Sequence, residues 1–470
     1  MNQADDNLGL FTSACNEQAN NSKTKTVKTS RNPIQICLLS AALLQAAISG
    51  AQPVTKISGG SSHSLFLKSG GSLWVMGDNG YGQLGDGTIN QTNRPEKIVV
   101  TNVTAIAGGY YHSLFLKSDS SLWAVGNNSS GQLGDGTTTD THVPKKIVVT
   151  NVTAIAAGEY HSLFLKSDGS LWGMGNNYDG ELGDGTYDDA HAPERIVTTN
   201  VTAIAAGYSH SLFLKSDGSL WAMGWNEMGQ LGNNTFSDTN QPVKIVPTNV
   251  TAIAAGHYHS LFLNRDGSLW AMGGNGMGQL GDGTSNQTGT NTPEKIVATN
   301  VTAIAAGGNH SLFLKSDGSL WAMGENEDGQ LGDGTPDSQN HPEKIVASDV
   351  TAIAAGEFHS LFLKSDGSLW AMGDNQYGAL GDGTLNNTNR TEQILGPYNR
   401  LVPQLLSGNK MRVSFVGMDG TNYVLERTYK LVPANWLPQV TNRADSIGVL
   451  VLTNTPNTAT NNFWRIHSAP

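Results

Sequence analysis

Residues 301–346 read VTAIAAGGNHSLFLKSDGSLWAMGENEDGQLGDGTPDSQNHPEKIV. Four short apolar runs stand in this stretch: A (VTAIAAG), B (HSLFLK), C (SLWAMG) and D (EKIV). Gly, Asp and Asn separate them, and no run keeps a 3.6-residue period long enough for a helix. The Asp-Gly between B and C, flanked by apolar residues, is a strong hairpin marker. The pattern is not unique to this stretch. His-Ser-Leu recurs at His63, His112, His161, His210, His259, His310 and His359, spaced by 49 residues except for one interval of 51. Eleven residues after each His stands a Trp, from Trp74 to Trp370.

Seven copies of a four-stranded unit of about 40–50 residues predict an all-β chain whose main body is a seven-bladed β-propeller. A closed ring removes the unpaired ends that a linear stack has to cap. Runs A and B are apolar on both faces, as expected of a small sheet covered on each side by a neighbour. The first unit opens directly on run A at Val54, and the last ends on run D, Glu392 to Leu395. A blade ordered D-A-B-C would have that last run complete the first blade and pin the ring shut.

On the AGxxHSL stretch, the Asp-Gly turn, the Trp-x-x-Gly run and the Gly-Gln-Leu-Gly loop, the chain resembles the regulator of chromosome condensation family, over residues 54–395 and all seven copies. The resemblance implies a seven-bladed propeller. The functions it brings are diverse: nucleotide-exchange factors, chromatin binders and secreted β-lactamase inhibitors. Two copies depart from the pattern, with Ala379 where Gln is expected and Asn233-Asn234 in place of Asp-Gly.

Outside the repeats the chain changes character. Ile34 to Ile48 is an apolar stretch preceded by Lys23, Lys25, Lys28 and Arg31 and followed by Ser49-Gly50-Ala51. It is too short to span a membrane and reads as a secretory signal cleaved after Ala51, so 1–51 is taken as an N-terminal extension and signal peptide. Cleavage would remove Cys15 and Cys37, the two cysteines of the chain, and leave a thiol-free product suited to an oxidising compartment. Residues 52–399 form the propeller body. Residues 400–470 alternate as strands do (Met411 to Val416, Tyr423 to Arg427, Gly448 to Thr453, Phe463 to Ile466) and are expected to form a small β-sandwich-like module. It is similar to β-modules that end many secreted bacterial proteins, some of which attach their protein to a surface.

With 56 Gly and 14% charged residues in 470, the chain is Gly-rich and charge-poor. Its net charge of −11 argues against nucleic acid as a partner, because phosphate backbones need a basic face. The seven His-Ser pairs invite a hydrolase reading, but a triad needs one asymmetric constellation, and seven equivalent copies suit packing. Gly-x-Gly-x-x-Gly occurs at Gly80 to Gly85 and Gly276 to Gly281 without a helix to hold a phosphate. The Gly-Asp-Gly-Thr aspartates, Asp86 to Asp382, lack EF-hand spacing and read as turn residues. The Asn-Val-Thr sequons at Asn102, Asn151, Asn200, Asn249 and Asn300 matter only in a glycosylating host. No catalytic residue, metal site or cofactor is expected.

The copies differ in three places: the two residues before each His, the residues around the Asn after run C, and the six to eight residues before run D. In an up-and-down blade the A–B and C–D loops share one face of the disc, so all three patches fall together. They hold Tyr81, Tyr110, Tyr111, Tyr160, Tyr178, Tyr187, Tyr208, Tyr258 and Tyr377, joined by Trp225, Phe358, Met228 and Met277. Aromatic anchors among Ser and Asn on a rigid frame are the composition of a binding surface. The expected function is a secreted or cell-surface, non-enzymatic scaffold whose Tyr-rich face binds a protein or a glycan, with surface attachment through the C-terminal module. A guanine-nucleotide exchange factor or chromatin binder is the alternative that the family resemblance offers.

Overall fold

The computed structural model describes residues 53–396 apart from Val149, together with the backbone of strands at Ile36–Leu38 and between Val402 and Ser468. Seven antiparallel sheets of four strands follow one another around a ring. In the third blade the strands are Val152–Ala157, His161–Lys166, Leu171–Gly175 and Ala190–Val197, and the other six repeat this order. Each blade is therefore built A-B-C-D from consecutive residues. The first strand lines the central channel with small half-buried residues, and the second and third are buried. The channel side of run A is thus open, where the sequence pattern suggested cover on both faces. Small Ala side chains there leave the channel its width.

The expected swap of the last strand does not occur. Thr388–Leu395 pairs with Leu369–Gly373 of its own blade, and Val54–Gly59 opens a complete first blade. Closure needs no exchanged strand, because the last interface repeats the other six. Leu361, Leu363 and Leu369 pack on Phe66, Trp74 and Met76 just as Leu114, Leu116 and Leu122 pack on Phe164, Trp172 and Met174. Each such apolar seam contributes a few kcal/mol per fully buried Leu or Phe.

Three belts of hydrogen bonds run around the disc over these seams. In the first, each His Nε2 meets the Ser Oγ of the next blade at 2.8–3.0 Å, from His63–Ser113 round to His359–Ser64. Each Ser Oγ in turn donates to a main-chain carbonyl, as Ser162 does to Gln132 at 2.8 Å. The hydroxyl proton is thereby committed, so the imidazole donates through Nε2–H and is held as the neutral tautomer. The second belt joins the Gly-Asp-Gly-Thr turn of one blade to the outermost strand of the next, from Gly87 N–H on the His142 carbonyl to Gly383 N–H on that of Asn93. The third links the loops at the channel mouth, from Ser61 N–H on the Gly109 carbonyl to Glu357 N–H on that of Gly60.

Local chemistry explains why the repeat tolerates so little change. A Cβ on Gly158 would lie 2.3 Å from His161 Cε1 and 2.6 Å from the Gly207 carbonyl, so only Gly lets the imidazole seat itself. Each run C Trp stacks on the Phe of run B, with ring centroids 6.0 Å apart in the third blade, and Lys166 lies 4.0 Å above its ring. The Asn after run C is fully buried. Asn128 accepts from Leu133 N–H and donates to Asp135, which also takes the Thr137 N–H. Those aspartates are occupied in turn-building. Six of the seven outermost strands carry a mid-strand Pro (Pro95, Pro144, Pro193, Pro242, Pro293, Pro342), which blocks pairing at the exposed edge; Thr391 stands in the seventh.

The secretory segment, the cleavage point after Ala51, Cys15 and Cys37 lie outside the residues whose side chains are described. In the C-terminal part Val402–Leu406, Lys410–Val416 and Val449–Asn454 form one sheet, and Asn422–Thr428, Leu437–Arg443 and Asn462–Ser468 belong to another. Ile36–Leu38 pairs in parallel at the edge of the second. Cleavage after Ala51 would remove that edge strand.

Candidate functional site

Between the first and second strands of every blade, two residues follow the Gly that packs on His. The first of them points to the channel. Going round the ring these are Ser61, Tyr110, Glu159, Tyr208, His257, Gly308 and Glu357, and together they line the mouth of a cavity of about 170 Å³. Because the third hydrogen-bond belt runs through these residues, their backbone is held from both neighbours before any ligand arrives. Such preorganisation lowers the ordering cost of binding.

The side chains at the mouth interact across the ring. Glu357 accepts from the Ser61 hydroxyl and from Tyr110 Oη at 3.4 Å, and His257 Nδ1 lies 3.8 Å from its carboxylate. Glu159 N–H donates to the Tyr208 carbonyl at 3.3 Å. The rings of Tyr110 and Tyr208 meet edge to face at 6.3 Å, and Tyr208 lies 5.0 Å from His257. Burial, uncompensated by any Lys or Arg, pushes the Glu159 carboxyl up to about 7 and raises that of Glu357. Burial also lowers His257 to about 4, so it stays neutral beside Glu357 at pH 7. The tyrosines titrate above their ordinary range for the same reason, Tyr160 at about 12.

Outward from the mouth the aromatic contacts continue without a break. Tyr110 touches Tyr111 at 4.3 Å, Tyr111 touches Tyr81 at 4.8 Å, and Tyr160 closes on both from the next blade. In the other direction Tyr208 meets Tyr258 at 5.9 Å, and Tyr258 meets Trp225 at 5.4 Å. Seven of the ten residues expected at the site thus form one connected surface over the first five blades. Tyr178, Phe358 and Tyr377 share the face but make no ring contact with this cluster among the described residues. Tyr178 is 78% exposed on its loop.

Models of known families match the chain over this same frame. The RCC1-like domain model matches residues 148–425, and regulator of chromosome condensation (RCC1) repeat models match 70–116 and 119–165, and 54–83 and 103–132. The chain belongs to the RCC1-like domain family. Among solved structures, human WBSCR16 shares 24% identity at a TM-score of 0.64, covering 71% of this chain and 96% of its own. Prp20p from Saccharomyces cerevisiae, a protein that binds Gsp1p and histones, shares 23% at 0.63, covering 74% and 88%. No curated protein sequence matches the chain. At these identities the likeness establishes the fold.

Within this RCC1-like propeller the polar members of the mouth went unnoticed in the sequence. Ser61, Glu159, His257 and Glu357 occupy a position already marked as variable, and the position itself was their signal. Glu181 was also missed. It stands where five other blades have Gln, 1% exposed, with Oε2 accepting from Asp179 N–H. Burial and the nearby Asp179 raise its carboxyl to about 8, so it sits protonated at pH 7 and stands in for the amide. Asn233-Asn234 keeps its turn because Asn234 adopts the positive φ of 66° that Gly supplies elsewhere.

The seven His-Ser pairs join different blades and are wholly buried, so none of these seven His faces the cavity. The arrangement at the mouth can instead present flat aromatic faces, hydroxyls and two carboxyl groups to a visiting ligand.

Proposed function

We propose that this RCC1-like propeller is a secreted, non-enzymatic binding scaffold that grips a protein or a glycan with the channel-mouth face. The observation that carries the proposal is the unbroken aromatic surface from Tyr81 through Tyr110 and Tyr208 to Trp225, set on backbone fixed by interblade hydrogen bonds. Large, rigid aromatic side chains gather interface energy at low entropic cost. The basic stretch, apolar run and small residues up to Ala51 support export.

The test begins with the chain expressed from its full gene and its mature N-terminus determined; Gln52 is expected. The exported protein is then used to isolate a ligand from the extracellular proteins and a glycan panel. Its dissociation constant is measured for Tyr110→Ala, Tyr160→Ala and Trp225→Ala, each expected to weaken binding at least tenfold. Wild-type binding by all three variants would refute the assignment of this face. An unprocessed cytoplasmic chain that accelerates nucleotide release from a small GTPase would instead support the exchange-factor reading that family membership offers.

A further inference from the structure

The loops of the mouth face, counted between the ends of the first and second strands and of the third and fourth, hold 21 Asp and Glu and no Lys or Arg. Arg94, Lys145 and Arg390 sit on fourth strands at the outer rim, where Lys145 is already paired with Asp135. Lys56 stands on a channel-lining first strand, and its ammonium donates to the Thr104 carbonyl of the next blade. At the centre of this field the cavity of about 170 Å³ is walled by Tyr110, Tyr208, Glu159 and Glu357. Among the described residues Glu357 finds only the Ser61 and Tyr110 hydroxyls and a neutral His257 as partners, and no cation lowers the Glu159 carboxyl. Aromatic walls plus carboxylates around an open cavity form a cage for a positive group.

Resting on the reading that this face binds a partner, we infer that its ligand is a basic polypeptide segment, one of whose Lys or Arg side chains enters the channel mouth between Tyr110, Tyr208, Glu159 and Glu357. The aliphatic stem of such a side chain packs on the tyrosine rings while its charged head reaches the carboxylates. The acidic loops around it raise the encounter rate and exclude acidic partners. A neutral glycan could stack on the same rings but would draw nothing from the surrounding charge. Salt dependence therefore separates the two ligand classes. An arriving cation also favours the ionised carboxylates, so binding near pH 7 should expel a proton from Glu159.

Isothermal titration with two heptapeptides tests the inference on the full chain: acetyl-GSRKRSG-amide and its neutral counterpart acetyl-GSQQQSG-amide. The basic peptide should bind at least tenfold tighter than the neutral one at low salt, and lose most of that advantage by about 0.3 M NaCl. Titrations in buffers of different ionisation enthalpy should show net proton release. The double variant Glu159→Gln/Glu357→Gln should abolish the preference. Because Glu357 also holds Ser61, its fold is checked by thermal melting, and Glu159→Gln alone should still cost severalfold. Tyr208→Phe, which keeps the ring, should bind within about threefold of wild type, whereas Tyr208→Leu should not. Equal affinity for the two peptides, or undiminished binding by the folded double variant, would overturn the inference. If a ligand isolated as above is lost with Tyr110→Ala, yet binds the double Gln variant normally, the cationic reading falls and the face assignment stands. If the tyrosine variants also bind normally, both fall.

Discussion

Acid should open this ring, and the histidine belt says where. All seven belt histidines are fully buried; burial lowers His63 and His161 to about 4 and the other five to about 3, against an ordinary value near 6.5. Their folded form is neutral, so below pH 6.5 the unfolded chain binds more protons and stability falls as pH falls. At pH 5 each His costs about 2 kcal/mol by this linkage, and seven together about 14 kcal/mol, comparable to the whole stability of an ordinary domain. Glu181 works the other way, because its raised carboxyl favours folding as pH falls towards 4.5. It returns about 2–3 kcal/mol between pH 7 and 5. Glu159 adds less once solvent screening is allowed for. The net expectation is a loss of roughly 8–10 kcal/mol over those two pH units, an average slope of about three to four protons that steepens towards pH 5. Urea unfolding followed by tryptophan fluorescence at pH 7, 6 and 5 measures it. A pH 5 stability within about 2 kcal/mol of the pH 7 value would show that the belt does not hold neutral imidazoles.

Other substitutions probe separate parts of the frame and the face. Glu181→Gln should raise the melting temperature at pH 7 and lose its advantage as pH falls to 4.5, since the amide satisfies the site without a proton; a gain independent of pH would contradict that cause. Gly158→Ala should cost at least about 3 kcal/mol or prevent folding, because the new methyl meets His161 and the Gly207 carbonyl. Gly136→Ala, at a positive φ of 81° but facing open space, should cost only about 1 kcal/mol in the same thermal melt. Ser162→Ala strands both the His112 donor and the Gln132 carbonyl and should cost about 2–3 kcal/mol by chemical denaturation. Tyr178→Ala, at an exposed rim without ring partners, should weaken ligand binding less than threefold, against tenfold or more for Tyr110→Ala.

The fold was legible because its determinants repeat. A His every 49 residues, a Trp eleven residues later and Asp-Gly between them specify blade, hairpin and number without reference to long-range contacts. Strand order within the blade was not legible. Runs A and D are both short and apolar, and either end of the unit could close the ring; only pairing shows that Thr388–Leu395 stays with its own blade. The location of the variable face followed from alternation of strand direction, and with it the place of Tyr110, Tyr208 and Trp225. What composition could not supply was which of two adjacent variable residues points inward. That depends on the turn after each Gly, and it decides that Glu159, His257 and Glu357 face the channel while Tyr160, Tyr258 and Phe358 do not.

Repetition and variation divide the work between them. Every His, its Ser and the Gly beneath it recur in all seven blades, because each seam must meet the same geometry for the ring to close. Those belts fix the mouth backbone without using the side chains of the seven mouth positions. The positions can therefore change in one blade without disturbing the backbone of the next. Ser61, Gly308 and Tyr110 occupy equivalent places, and each keeps the main-chain bond to its neighbour. A frame that is indifferent to what its mouth residues are can acquire an acidic, aromatic surface on one arc of the ring at little cost in stability. The same independence implies that exchanging Glu159, Tyr208 and His257 should alter what is bound while leaving the melting temperature nearly unchanged. A large fall in melting temperature on those exchanges would mean that the mouth helps to hold the ring, and that its composition answers to folding rather than to a ligand.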